Sequence, residues 1–324
     1  MTDRAIPTIA DVRAAAERIA PHAHRTPVLR SRAVDELAGC RVHLKAEHLQ
    51  RAGAFKFRGA VNAVFSLDDA AAGRGVAAHS SGNHAAALAL AAHSRGIPCH
   101  VVMPADAPRA KQEATAGYGA EIVLCEPTLE ARAATLAEVL DRTGATEIHP
   151  YDHPDVIAGQ GTATLELLEE VPAIGAVLAP VSGGGLLSGT AIAAHGVDPG
   201  IAVLGAEPAA VDDAARSLTT GRRIPDGNGT SIADGLLAVL SDRTFTILRD
   251  HDVRVVTVTE DEIVDAMALL FTRLKQVVEP SGATALAGLL ALVGDGSALP
   301  PDVGVILSGG NVDLDRLPFG VAPS

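Results

Sequence analysis

Short apolar runs rich in Val, Ile and Leu recur at residues 41–45, 76–79, 99–103, 121–124, 176–179, 202–205, 253–258 and 303–307. Continuous runs of that length predict strands buried on both faces. Between them, Ala-rich stretches at 83–93, 107–116, 128–142, 186–195 and 260–276 predict helices. Strands that alternate with helices predict an α/β protein with doubly wound, mostly parallel sheets. No repeat of about 20–50 residues breaks this order, and pattern alone sets no domain boundary.

One stretch is apolar enough to suggest a membrane span: residues 171–197 contain no Asp, Glu, Lys or Arg. It also contains Pro172, Pro180 and three consecutive glycines, Gly183, Gly184 and Gly185, which would break a spanning helix. A strand, a glycine turn and a buried helix account for it better, and no membrane partner is expected. Charge narrows the function further. The 324 residues carry 39 acidic against 26 Lys and Arg side chains, a formal net charge of -13, and aromatic residues make up only 2%. Such a surface repels phosphate backbones and offers few rings for base stacking, so no nucleic-acid partner is expected. Three cysteines (Cys40, Cys99 and Cys125), with no C-x-x-C pair, predict free thiols in a cytoplasmic protein.

Three glycine-containing turns follow predicted strands, where open α/β sheets bind ligands. They are Ser80-Ser81-Gly82-Asn83-His84, Ser182-Gly183-Gly184-Gly185-Leu186 and Ser308-Gly309-Gly310-Asn311. The triple glycine lets successive N–H groups converge on an anion at a helix N-terminus; the plain alternative is a tight strand-to-helix turn. It has neither the Lys-Ser/Thr of a P-loop nor G-x-G-x-x-G spacing, so neither triphosphate transfer nor a dinucleotide fingerprint is indicated. Lys56 lies between Phe55 and Phe57 and near Arg51 and Arg58. Aromatic burial and neighbouring cations both depress an amine's pKa, the condition for an imine-forming lysine; the alternative is a solvated charge. No G-x-S-x-G elbow is present, and Pro150 and Pro154 keep His149 and His153 from sharing a helical face as a zinc pair.

The motifs HLQRAGAFKFRGA, SSGNHAAA, SGGGLLSG and LSGGNVD occur in this order. Together with GIPCHVVMP, YGAEIVLCEP, VIAGQGTATLE, TVTEDEI and EPSGATALA, they make the chain resemble the pyridoxal-phosphate enzymes of fold type II. Within that family it is most similar to the serine/threonine dehydratases and serine racemases. The resemblance implies a tryptophan synthase beta-like fold, with a large domain from residues 1–74 and 153–324, a small α/β domain at 75–152, and a homodimer. It implies that Lys56 forms the internal Schiff base against Phe55. Gly183, Gly184, Gly185 and Leu186, with Ser182 in the same turn, would hold the cofactor phosphate. Asn83 would face the phenolic oxygen and Ser308 the pyridine nitrogen. Ser80, Ser81, Gly82, Asn83 and His84 would bind the substrate carboxylate.

Ser308 bears on reaction type, because a serine hydroxyl does not keep the ring nitrogen charged and so favours elimination over a long-lived carbanion. Ser81 corresponds to the serine that moves a proton on the face opposite the lysine in racemases; its plain alternative is to cap the following helix. Glu207 and Asp213, with the Val211 carbonyl, resemble the loop that binds Mg²⁺, Mn²⁺ or Ca²⁺ in racemase-like members. By spacing alone they are a solvated loop. Tyr151 departs from the small polar residue frequent in relatives and is expected to reshape the cofactor or substrate pocket. The expected activity is a dehydratase (ammonia-lyase) on L-serine or L-threonine. The alternatives are serine racemase with side dehydration, 3-hydroxyaspartate dehydratase with Arg132 on the second carboxylate, or, as the last choice, a non-catalytic cofactor binder.

Overall fold

The computed structural model describes residues 6–226, 229–313 and 317–319. Ten strands form two sheets: β1 (Val28–Leu29), β2 (Arg41–Lys45), β3 (Val76–His79), β4 (Cys99–Pro104), β5 (Glu121–Cys125), β6 (Thr146–Glu147), β7 (Ala176–Pro180), β8 (Ala202–Pro208), β9 (Arg254–Val258) and β10 (Asp302–Ile306). One sheet runs β1-β2-β10-β7-β8-β9; the other runs β5-β4-β3-β6 and draws all its strands from residues 76–147. Every pairing is parallel except that of β1 with β2. This is the doubly wound α/β arrangement of fold type II. The strands absent from the sequence expectation, β1 and β6, are two residues long, too short to leave a periodic signal.

Covalently distant segments meet in the larger sheet, where β10 lies between β2 and β7. The carboxyl ends of β2, β7 and β10 therefore open on one side, and the turns at 182–184 and 308–311 sit there. The helix Lys56–Ser66 crosses Pro154–Glu170 closely: a Cβ on Gly159 would fall 2.7 Å from the Arg58 carbonyl oxygen and the Gly59 Cα. Gln160 Oε1 then accepts the Gly59 N–H at 3.1 Å. This contact fixes the axis of the helix whose first residue is Lys56.

One predicted helix ends differently. The stretch 260–276 forms an α-helix at Glu260–Leu269 and then a π-helical turn at Leu270–Leu274, closed by Lys275 at φ 60°. Gln276 turns away to bond His48 Nε2 at 2.8 Å, and Pro280 biases the residue before it, Glu279, to its extended backbone. Among the described residues no helix is long and apolar enough to cross a membrane, and the three cysteines are free.

Candidate active site

Lys56 opens its helix, and its surroundings come from three separate segments. The Phe55 N–H donates to the Ser308 carbonyl at 2.9 Å and the Gly310 N–H to the Gly53 carbonyl at 2.9 Å, while Ala54 bridges Gly309. The turn before Lys56 is thereby stitched to the turn after β10. Lys56 Nζ donates to the Pro150 carbonyl at 3.0 Å and lies 5.1 Å from the centroid of the Phe55 ring. It has no acidic partner among the described residues, and burial pushes its pKa down to about 8. Desolvation is the cause, which corrects the expectation that Arg51 and Arg58 contribute. Arg51 is directed to the His22 carbonyl, and Arg58 is consumed by carboxylates. Phe57 is fully buried in the core.

Arg58 belongs to an ionic cluster that sequence reasoning missed. Its guanidinium binds both oxygens of Glu47 at 2.7 and 2.8 Å and both of Glu166 at 2.7 and 2.8 Å. Lys45 Nζ meets Glu166 at 2.6 Å. Arg58, Glu47 and Lys45 are all 0% exposed. Two cations and two carboxylates therefore compensate one another and anchor the helix that presents Lys56, and nothing in the local sequence separates them from solvated ones.

The turn at 182–186 leads from β7 into the helix Gly185–Val197. Gly183, Gly184, Gly185 and Leu186 are buried, yet among the described residues none of their N–H groups donates to a protein acceptor. Buried donors left without partners at a helix N-terminus fit a phosphate group. Gly184, at φ 89°, holds the left-handed backbone that the turn requires. Ser182 turns its hydroxyl outward, accepting the Ala238 N–H at 3.0 Å and donating to the Ala238 carbonyl at 3.2 Å. It braces the turn and does not line it.

Asn83 is held from two sides: Nδ2 donates to Glu279 Oε1 at 2.8 Å, and Oδ1 accepts from Asn311 Nδ2 at 2.9 Å. Burial raises the Glu279 carboxyl to about 8. Neither Glu279 nor Asn311 was singled out from sequence, although both lie in the quoted motifs; their glycine neighbours were the only local signal. Ser308 is buried and its hydroxyl reaches the Ser281 carbonyl at 3.4 Å.

The turn at 80–84 corrects the capping assignment. Gly82 is the N-cap and no side chain caps the helix. The Ser80 hydroxyl accepts the Gly82 N–H at 3.3 Å, whereas the Ser81 hydroxyl makes no hydrogen bond among the described residues. His84 donates from Nε2 to the Ile148 carbonyl at 2.8 Å, its Nδ1 has no partner among the described residues, and burial lowers its pKa to about 3. His149 accepts the Asp152 N–H on Nδ1 at 2.9 Å and is lowered by burial to about 4. Arg132, in the first turn of the helix Leu129–Thr143, forms no ion pair among the described residues, and its buried Nε has no hydrogen-bond partner. It lies within electrostatic reach of His79, which stands edge-on to His149 at 6.4 Å.

Glu207 and Asp213 are buried, and Asp213 accepts a backbone hydrogen bond from Leu240, whose side chain closes on Gly184. Glu207 accepts the N–H groups of Ala215 at 2.6 Å and Ala214 at 3.3 Å, and burial raises it to about 8. Asp213 is raised to about 6, again by burial, and its Oδ2 has no partner among the described residues. Val211 is buried between them in sequence. Among the described residues no cluster of three His, Cys, Asp or Glu side chains forms a metal cage.

Comparison with known proteins adds identity to this geometry. The family model described as pyridoxal-phosphate dependent enzyme matches residues 19–309. A beta-hydroxyaspartate dehydratase of Paracoccus denitrificans is 48% identical over 97% of this chain and 99% of its own. An L-threo-3-hydroxyaspartate ammonia-lyase of Saccharomyces cerevisiae is 45% identical over 96% of this chain and 95% of its own. The structure of maize serine racemase superposes with a TM-score of 0.94 at 46% identity, covering 97% of this chain and 96% of that one.

Proposed function

From the premise that the chain belongs to the pyridoxal-phosphate dependent enzymes, a family whose members similar to it include ammonia-lyases and racemases, we propose that it is a hydroxyamino-acid ammonia-lyase whose preferred substrate is a 3-hydroxyaspartate. The observation that carries the substrate choice is Arg132, a cation without an ion-pair partner among the described residues and with a buried, unbonded Nε. A buried donor left unsatisfied costs about 1–3 kcal/mol, and a ligand carboxylate offsets that cost. Relatives named for hydroxyaspartate support this choice and stand beside serine racemases of similar identity.

The cofactor, when bound, supplies an electron sink that acidifies the substrate Cα–H and allows the β-hydroxyl to leave. The residues present fit it. The four partnerless N–H groups at 183–186 would hold its phosphate, Asn83 would orient its phenolic oxygen, and Ser308 would meet its ring nitrogen. Lys56 Nζ, kept partly unprotonated by burial, moves the proton at Cα on one face. The N–H groups of Ser81, Asn83 and His84, which meet no acceptor among the described residues, bind the α-carboxylate, and Arg132 binds the distal one. Elimination followed by hydrolysis gives a 2-oxo acid and ammonia. Glu207, Asp213 and the Val211 carbonyl would hold a divalent cation; the partnerless Asp213 Oδ2 and the two charge-disfavouring burials support that fit.

A racemase reading is favoured by one observation, the unbonded Ser81 hydroxyl. Oxo-acid and ammonia formation from 3-hydroxyaspartate, L-serine and L-threonine tests the substrate choice. We expect kcat/KM for hydroxyaspartate to be highest and to fall about 100-fold in Arg132→Ala, with L-serine turnover changed less than about threefold. An unaltered protein that prefers L-serine or L-threonine would overturn the dicarboxylate reading and leave the ammonia-lyase reading standing.

A further inference from the structure

The triple-glycine turn does not hold its own shape; two flanking segments hold it. On one flank, Thr244 Oγ1 donates to the Gly183 carbonyl at 2.8 Å, and a Cβ on Gly184 would fall 2.7 Å from Thr244 Cβ and 2.8 Å from Leu240 Cδ2. On the other flank lies Tyr151. A Cβ on Gly183 would come 2.5 Å from three carbons of its ring, Cδ1, Cδ2 and Cε1, so the glycine's Cα meets the ring face. A Cβ on Gly185 would lie 2.9 Å from Tyr151 Cβ. The turn is clasped between an aromatic face and a Thr-Leu wall, leaving its N–H groups directed elsewhere.

Tyr151 is itself fixed. His149 stands edge-on to its ring at 4.6 Å and 84°, and His149 Nδ1 accepts the Tyr151 and Asp152 N–H groups at 3.4 and 2.9 Å. One residue further on, Asp152 pairs with Arg243 at 2.6 Å. One residue back, the Pro150 carbonyl holds Lys56 Nζ at 3.0 Å. The segment thus ties the lysine to the turn, with the tyrosine ring as the piece that touches the glycines. Three successive glycines have the largest backbone freedom to lose, so a turn built from them needs external walls to keep converging donors in place.

We infer that Tyr151 is a positioning residue for the cofactor phosphate, acting through its ring face on Gly183 and not through its hydroxyl. This rests on the cofactor reading above. It makes Gly183 and Tyr151 a matched pair: a flat face fits only where the opposing residue has no Cβ.

The test is cofactor uptake, read without turnover. Apoprotein is titrated by absorbance with pyridoxal phosphate and, separately, with pyridoxal, which lacks the phosphate. We expect Tyr151→Ala to weaken pyridoxal phosphate binding at least about tenfold and pyridoxal binding less than about twofold, with Tyr151→Phe matching the unaltered protein for both. Gly183→Ala should weaken pyridoxal phosphate binding in the Tyr151 background. It should cost little further in the Tyr151→Ala background, because the clashing ring is gone. Equal weakening of both ligands, a Phe variant as poor as Ala, or additive losses in the double variant would each overturn the inference. Tyr151→Ala uptake equal to that of the unaltered protein would do the same. Failure of the unaltered protein to take up pyridoxal phosphate would overturn the cofactor reading itself.

Discussion

Lys56 carries the sharpest quantitative expectation, because a single physical cause sets its state. Its amine lies beside the Phe55 ring with a neutral carbonyl as its hydrogen-bond acceptor, and desolvation lowers its pKa to about 8. At pH 7 that leaves roughly one amine in ten unprotonated, against about one in three thousand at the ordinary value of 10.5, a gain of about 300-fold in reactive base. Trapping the apoprotein with a small aldehyde and borohydride across pH 6–11, followed by peptide mapping, should place the adduct on Lys56 with a midpoint near 8. Phe55→Ala admits water beside the amine and should move that midpoint upward. The linkage has a definite sign: between about 8 and 10.5 the folded state binds fewer protons than the unfolded one. The penalty is therefore absent above 10.5, grows as pH falls, and is complete below about 8. Lys56→Met should stabilise the apoprotein at pH 7 by no more than about 3 kcal/mol, reduced because the side chain keeps some contact with water, and should change little at pH 11. A midpoint near 10.5, or an adduct on Lys45 or Lys111, would refute the argument.

Removing one partner from the Arg58 cluster leaves buried charge uncompensated, so Glu47→Ala should lower stability by about 3–5 kcal/mol in denaturant unfolding; a loss below about 1 kcal/mol would show that water reaches the site. Ser81→Ala should abolish any interconversion of L- and D-serine while sparing ammonia release from the L-substrate, and, with no capping bond to lose, should leave the melting temperature unchanged. Parallel loss of both activities in the folded, cofactor-loaded variant would sink the two-face assignment. Chelation should lower thermal stability, Mg²⁺ or Mn²⁺ should restore it, and Glu207→Ala should remove the response. Indifference of the unaltered protein to chelator would return the loop to a purely structural role.

What the chain reveals about itself divides along physical lines. Buried strands and the turns after β3, β7 and β10 were legible, because period, apolar runs and glycine are local signals. Lys56 was legible as a candidate from its flanking rings, but the cause assigned to its cations was wrong. A charge's partners are set by tertiary contact: Glu166 reaches Arg58 from 108 residues away. The same holds for Asn83, whose carboxylate and amide partners lie 196 and 228 residues downstream. They meet because strand order β2-β10-β7 brings the turn after β10 beside the lysine-bearing turn, while Asn83 begins the helix after β3 in the other sheet.

The clasp on the glycine turn shows why motif reading stops where it does. A triple glycine announces that side chains are excluded, without saying what excludes them. Two causes produce the same letters. At Gly184 the backbone angle itself demands glycine, and the Thr244 and Leu240 side chains close the space as well. At Gly183 φ is not positive; the ring of Tyr151, 32 residues upstream, occupies the space a Cβ would need. Three identical residues in a row thus answer to different forces, and they respond differently to substitution. Removing the ring relieves the steric constraint at Gly183, whereas nothing done to Thr244 or Leu240 relaxes the left-handed backbone at Gly184.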